Sequence, residues 1–482
     1  MAQQSSTKQR GFWGKLFLEP KPKPTISDKG LIKSKFQFFQ PMIFIVLYLL
    51  YFASYLGRKQ LSMGFQGVKS HNVNGIEDLF PTLGAMYGTL LVVYYISYAV
   101  GKIIGGVVAD RANLRVVLPL SVGISALLPI GIVFSVEIFQ HNAPEFLSKT
   151  LMVVSWGLAG FIQAASFPLC GKALTHWYSN KNRATIWSFW STSHELGSAA
   201  AVVLSGWLIE KWGWTWVFFG PAIISVVVAI VGLFVLREKP VTMGLPDVET
   251  YAGCAPKKVE EKEEEEDTRP YGQVFFQEVL KNKTIWILAI CFICVYIMRS
   301  GPIDWMLKAF ENDPSVKGKT AIVPLFGALG TLSIPVVSNY LFKGRRAPAL
   351  FLYFLVSTIC FTAIRLVTPF DGRAIITLPD SVVNVVQWIA LPLLGIATYG
   401  PLVMIGGVAS IESASKRVAA ATTGFTGGIG YVGAILISYL GQFAQKSHNF
   451  GMLFTVMLSA SLLATILITL LWNQQASKDY SH

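Results

Sequence analysis

Along the chain, uncharged stretches of about twenty mostly apolar residues alternate with short polar connections. The first, Phe36 to Gly57, runs 22 residues without a charge. A helix rising about 1.5 Å per residue crosses a hydrocarbon core of about 30 Å in roughly 20 residues, so each stretch predicts a membrane span. Twelve are expected, near 37–63, 83–109, 114–136, 149–174, 184–208, 214–237, 284–308, 319–342, 347–368, 384–411, 417–442 and 450–473. The long connection, 238–283, is polar, carries the run Glu260 to Asp267, and divides the spans six and six. The expected fold is an all-α membrane protein of two six-helix halves, 36–237 and 284–473. A basic tail (1–35) precedes them, a charged linker (238–283) separates them, and a short tail (474–482) follows.

Composition agrees. Of 482 residues, 53% are hydrophobic and 14% charged, where soluble domains carry about 25% charged; mean hydropathy is +0.51. The net charge of +13 does not point to nucleic acid, because the bases are sorted by side. Of 40 Lys and Arg, 27 fall on the side of the tails and nine opposite, which places both termini in the cytoplasm and the chain in the cell's inner membrane. With no short cleavable leader before residue 36, the first span is expected to act as the insertion signal. Cys170, Cys254, Cys291, Cys294 and Cys360 form no disulfide framework, and Cys291 and Cys294, inside an apolar span, read as packing residues.

Charges inside the spans narrow the chemistry. Arg58 ends the first charge-free run, with Ser54, Tyr55 and Tyr51 on one helical face before it. By position alone it is either the water boundary of the span or a charge aimed into a cavity, and Lys59 reads as the boundary residue. Arg299 interrupts the seventh span and Lys102 the second. Arginine at a helix centre costs about 2.5–3.5 kcal/mol on insertion scales, so such cations are functional candidates by default. Lys102 could alternatively snorkel to the interface. Each has a tyrosine one turn earlier, Tyr55, Tyr98 and Tyr296, offering a hydroxyl and a ring face.

Acids within the spans are few: Glu195, Asp304 and Glu412. The cations outnumber them, which implies an anionic ligand, and two guanidinium forks suit a phosphate dianion. His194 reads either as a packing histidine or as a donor whose pKa near 6.5 discriminates phosphate charge states. Gly424, Gly427, Gly428, Gly430 and Gly433 mark the eleventh span as a close-packing helix, with Tyr431 within it. No metal-ligand spacing or nucleophile–base pair appears, so neither an enzyme nor a cofactor is expected.

The halves also echo one another. Arg58 and Arg299 lie 241 residues apart, Pro168 and Pro401 233, and Arg183 and Arg417 234. Basic turns follow the second span (Gly106, Asp110, Arg111, Arg115) and the eighth (Lys343 to Arg346). A parallel six-helix repeat of this kind places substrate between the halves near the midplane.

At these residues the chain resembles the organophosphate:phosphate antiporters of the major facilitator superfamily over essentially its whole length. The matching segments are Tyr51-Phe-Ala-Ser-Tyr-Leu-Gly-Arg58-Lys59, Gly101-Lys102-Ile-Ile-Gly105, Tyr296-Ile-Met-Arg299-Ser-Gly-Pro-Ile-Asp304-Trp305, Tyr399-Gly-Pro401, Gly424-Phe-Thr-Gly427 and the Ser-His194 element. The resemblance implies that Arg58 and Arg299 bind phosphate with Lys102 and His194 assisting. It further implies that Tyr51, Tyr55, Tyr98, Tyr296, Tyr399 and Tyr431 line the cavity, and that Gly106, Asp110, Arg111 and Arg115 latch the cytoplasmic side. Lys343-Gly-Arg-Arg-Ala-Pro348 and Gly244-Leu-Pro-Asp-Val-Glu-Thr-Tyr251 look most like the glycerol-3-phosphate branch. Three departures leave the substrate open: Phe167-Pro-Leu-Cys170 where that branch has Trp-Pro-Pro-Cys, His-Glu-Leu-Gly-Ser after Ser193, and no acid in the eighth span.

The expected function is import of an organophosphate, glycerol 3-phosphate or alternatively a hexose 6-phosphate, in exchange for inorganic phosphate. Each chain holds a complete two-half pathway, so a monomer is expected. The rivals are a proton-coupled symporter titrating Glu195, Asp304 or His194, and a membrane sensor of sugar phosphate.

Overall fold

The computed structural model describes residues 23–67, 73–253, 276–311, 313–370, 374–410 and 419–473, with positions 17, 20, 273 and 413; side chains at 59, 103, 106–111, 180–184, 408, 419–421 and 423 lie outside that description. Among the described residues the regular structure is helical. The long helices are α1 (Lys29–Gln66), α2 (Tyr87–Arg111), α3 (Leu114–Gln140), α4 (Glu145–Trp177), α5 (Asn180–Trp212), α6 (Trp216–Val235), α7 (Lys283–Ala309), α8 (Val316–Val336), α9 (Arg346–Val367), α10 (Asp380–Val403), α11 (Ala419–Lys446) and α12 (Phe450–Thr469). Eleven are long and apolar enough to cross a membrane. The other is α5, long enough at 33 residues, whose central Ser191-Thr-Ser-His-Glu stretch dilutes its apolar content.

At α1 both boundaries differ from expectation. It starts eight residues early, because the Asp28 carboxylate accepts from the Gly30 and Leu31 N–H groups and caps the first turn. It ends at Gln66, where Gly67 adopts φ +64° and donates its N–H to Met63 O at 3.0 Å. A Cβ at Gly67 would lie 2.3 Å from Val73 O, so only glycine turns the chain here. Arg58 therefore sits eight residues inside the helix, 5% exposed, and is not a boundary residue.

Helix α1 packs on α5 and α6, α2 on α4, α8 on α10, α7 on α11 and α12, and α9 on α10 and α12. Between the first six helices and the last six, α5 meets α8, α2 meets α11, and α1 meets α7. The interior along these seams is aromatic, with Tyr94, Tyr95, Tyr98, Tyr296, Tyr399 and Tyr431 in one buried cluster. On the face of the α1–α2 connection, polar bonds cross the seams. Lys308 pairs with Glu77 at 2.8 Å, Gln445 donates to Glu77 at 2.6 Å, and Lys317 pairs with Glu210.

On the opposite face, where α1 begins, the tail and the start of the linker pair with each other. Lys23 N–H donates to Val241 O and Ile26 N–H to Gly244 O, at 2.9 and 2.8 Å. Phe36 stacks on Tyr251 at 3.9 Å and shares a small core with Leu245 and Val248. The first turns of the linker thus pack back beneath the first six helices through their own apolar residues. The acidic run 260–267 lies outside the described residues.

Candidate functional site

Helical periodicity puts Tyr51, Tyr55 and Arg58 on one face of α1, and α5 is drawn against that face. A Cβ at Gly197 would lie 2.7 Å from Phe52 O, so the missing side chain lets α5 approach the α1 backbone. The contact brings His194 to 5.3 Å from the Tyr55 ring and 6.2 Å from Tyr51, centroid to centroid. Tyr51 stacks on Trp190 at 4.6 Å.

Arg58 is caged by phenols. Its Nη1 donates to the Tyr55 hydroxyl at 3.2 Å, and its Cζ lies 4.6 Å from the Tyr98 ring centre, 5.2 Å from Tyr55, 5.3 Å from Tyr94 and 5.6 Å from Tyr95. Ring faces stabilise a desolvated cation by about 2 kcal/mol each at best, and they leave Arg58 Nε without a partner. Arg299 comes from α7 and lies over the Tyr399 ring at 5.2 Å, with Nε and Nη2 both unpartnered. Among the described residues no carboxylate pairs with either arginine.

The remaining expected residues join the same cluster. Lys102 Nζ lies 4.9 Å from the Phe167 ring and 5.4 Å from Tyr431, so it points inward and does not snorkel to the interface. Tyr431 touches Tyr98 at 5.3 Å and Tyr296 at 4.6 Å. His194 Nδ1 contacts Ser191 O and lies 3.0 Å from Glu195 Oε2. Tyr51, Tyr55, Tyr98, Tyr296, Tyr399 and Tyr431 are each at most 5% exposed. A cleft of about 1260 Å³ opens elsewhere, on the face of the α1–α2 connection near Glu77, Lys308 and Lys319, and neither arginine lines it.

Two expectations need correction. The tyrosine one turn earlier serves its cation only at Arg58; Tyr98 packs under Arg58 and not Lys102, and the ring over Arg299 is Tyr399 from α10. Of the α11 glycines, Gly430 and Gly433 pack closely, whereas a Cβ at Gly424 or Gly428 would meet nothing within 4 Å and one at Gly427 would meet Lys102 Nζ at 3.8 Å. The latch residues Gly106, Asp110 and Arg111 have side chains outside the described residues, and Arg115 donates to Leu233 O at 3.2 Å within its own half. Sequence reasoning missed Tyr94 and Tyr95 as cage residues. Their spacing with Tyr98 along α2 was the available signal.

Twelve long helices around two buried cations define a polytopic membrane transporter rather than an enzyme. Residues 36–438 match the Major Facilitator Superfamily, and the chain belongs to it, within the organophosphate:phosphate antiporter family. Among its relatives is a probable hexose phosphate transport protein of Chlamydia trachomatis, 31% identical over 98% of this chain and 100% of that protein. A glycerol-3-phosphate transporter of Bacillus subtilis is 28% identical over 94% and 97%, and the membrane sensor protein UhpC of Escherichia coli is 28% identical over 95% and 98%. A bacterial homologue of the lysosomal transporter Spinster, inward-facing and unoccupied, shares the fold at TM-score 0.61 and 16% identity, covering 90% of this chain and 96% of that one.

Proposed function

We propose that the protein carries a phosphate monoester of a small polyol or sugar across the membrane in exchange for inorganic phosphate. The observation that carries this reading is the pair of buried guanidinium groups, one from each half, with Arg58 Nε and Arg299 Nε and Nη2 unpartnered. Orphaned donors on buried cations are costly, and a phosphate dianion supplies both the acceptors and the charge. Lys102 adds a third positive charge beside Tyr431. Without an anion, closing the halves would compress uncompensated charge; with one, the charge is neutralised and the halves rock around it. Either phosphate or the ester therefore permits the swing, and the empty carrier stalls.

Local motifs favour glycerol 3-phosphate, while the 31% identity to a hexose phosphate transport protein favours a hexose 6-phosphate. Exchange in phosphate-loaded proteoliposomes, with both esters competing, decides between them. Arg58→Lys and Arg299→Lys are expected to lower exchange about a hundredfold, because lysine cannot replace two aligned donors. Full exchange in either variant would sink the site. Uptake driven by a proton gradient with no internal phosphate would replace antiport by symport, and ligand binding without exchange would make the protein a sensor.

A further inference from the structure

Glu195 is a carboxyl group with no exposed surface in a site built to hold an anion, which calls for a physical reason. Its Oε1 accepts from Thr331 Oγ1 of α8 at 2.6 Å, a bond between the two halves. Its Oε2 is buried and, among the described residues, has no hydrogen-bond partner; the neighbouring His194 Nδ1 bonds to Ser191 O instead. A second orphan rests on the same helix. The Tyr399 hydroxyl of α10, on a side chain with no exposed surface, is also unpartnered among the described residues. The Tyr399 ring lies against Gly327 of α8, where a Cβ would sit 2.7 Å from it, and Thr331 follows one turn later on the same face. That ring is 5.2 Å from the Arg299 guanidinium and 6.2 Å from the His194 ring. Two buried oxygens with unused hydrogen-bonding capacity are thus held on one face of α8, next to a phosphate-binding candidate.

We propose that Glu195 is a specificity-determining residue that, with Tyr399, recognises a hydroxyl of the ester's organic moiety while the arginines hold its phosphate. The donor and acceptor inventory separates the two tasks. A guanidinium only donates, which suits the anionic oxygens of a phosphate. A phenol both donates and accepts. So does a carboxylic acid, and a carboxylate accepts, so Glu195 pairs with an alcohol O–H in either form. The Thr331 bond fixes one carboxyl oxygen and leaves the other for the ligand. A ligand hydroxyl there satisfies groups that would otherwise stay buried and unpaired, and this makes an analogue without the hydroxyl a poor fit. The His-Glu-Leu-Gly-Ser segment is also one of the departures from the glycerol-3-phosphate branch. A residue that reads the organic moiety is where such a departure would act.

The inference rests on the phosphate-exchange reading, and its test separates the two. Homologous phosphate exchange in phosphate-loaded proteoliposomes is inhibited with paired esters: glycerol 3-phosphate against n-propyl phosphate, and glucose 6-phosphate against cyclohexylmethyl phosphate. The second member of each pair lacks the hydroxyls. In wild type the hydroxyl-bearing member of at least one pair is expected to inhibit at about tenfold lower concentration, roughly the contribution of one satisfied hydrogen bond. Glu195→Met keeps the bulk of the side chain and removes both oxygens, and should reduce that preference to within about twofold of unity. Adding Thr331→Val removes the hydroxyl that this change orphans, and the double variant should show the same loss. Glu195→Gln retains an acceptor for Thr331 and a donor for the ligand, and should recover most of the preference, which a purely structural role would not require. No preference in wild type, an undiminished preference in the Met variants, or a Gln variant no better than Met would each overturn the proposal. Absence of phosphate exchange in wild type would instead remove the reading beneath it.

Discussion

The Tyr95 hydroxyl of α2 donates to Asp304 Oδ2 of α7 at 2.6 Å, tying one half to the other a little over one turn past Arg299. Tyr87 OH and Gln66 Nε2 converge on the Asp304 backbone carbonyl from the same side. Asp304 was one of few acids close enough in sequence to neutralise Arg299. Its carboxylate is instead engaged across the seam, and Arg299 Nε and Nη2 stay buried without a partner.

That contact bridges α2 and α7 on the way to the face of the α1–α2 connection. A hydrogen bond to a charged acceptor contributes about 1.5–3 kcal/mol, so Tyr95→Phe should shift the open–closed equilibrium of this face by about tenfold. A cysteine at Ser300, 2% exposed and beside Tyr95, should then react about tenfold faster with a membrane-impermeant thiol reagent added from that face. Unchanged labelling would mean that the bond does not hold the face shut.

Lys319 is 1% exposed and gives its three ammonium protons to Asp313 Oδ2 at 2.5 Å and to Asn384 Oδ1 and Gln387 Oε1 at 2.7 Å each. Lys319→Met removes a buried charge but orphans three acceptors between α8 and α10, and should destabilise the protein by about 3 kcal/mol. The measurement is thermal unfolding in detergent; a melting temperature within 1–2 °C (about the resolution of such a comparison) would refute it.

The same cluster predicts an acid limb. Burial would raise the Asp313 carboxyl, but hydrogen bonds from Lys319 and Ser315 outweigh it and hold the group below its ordinary range. A lowered folded pKa stabilises fully above the unfolded value of about 3.9 and is lost as pH falls through the folded value. Melting temperature should therefore decline below about pH 4 in wild type, and Asp313→Asn should flatten that decline. Parallel curves for the two proteins would exclude Asp313 as a source.

The α11 glycines separate by role. A Cβ at Gly433 would lie 2.1 Å from Ile293 O, so Gly433→Ala must push α11 from α7 and should cost about 1–3 kcal/mol or more. Gly428→Ala, with open space around it, should melt like wild type. Helix propensity alone favours alanine over glycine, so equal loss of stability in both would show that the distance to Ile293 O is not what sets the cost.

The sequence by itself determined the number and order of the long helices and the placing of Arg58 and Arg299 within the first and the seventh. Each is a local property: apolar length, exclusion of charge, and recurrence of one residue at the corresponding place in two halves. It did not determine where α1 stops, because the end depends on Gly67 turning beneath Val73, a contact with residues not yet reached along the chain. Nor did it determine which ring serves which cation. A sequence shows the neighbours one turn away, and at Arg58 that neighbour, Tyr55, is correct. Tyr98 under Arg58, Tyr399 over Arg299, Tyr431 beside Lys102 and Thr331 on Glu195 all come from other helices. Their meeting depends on how far each helix is rotated and how closely it approaches, which the packing of all twelve together decides.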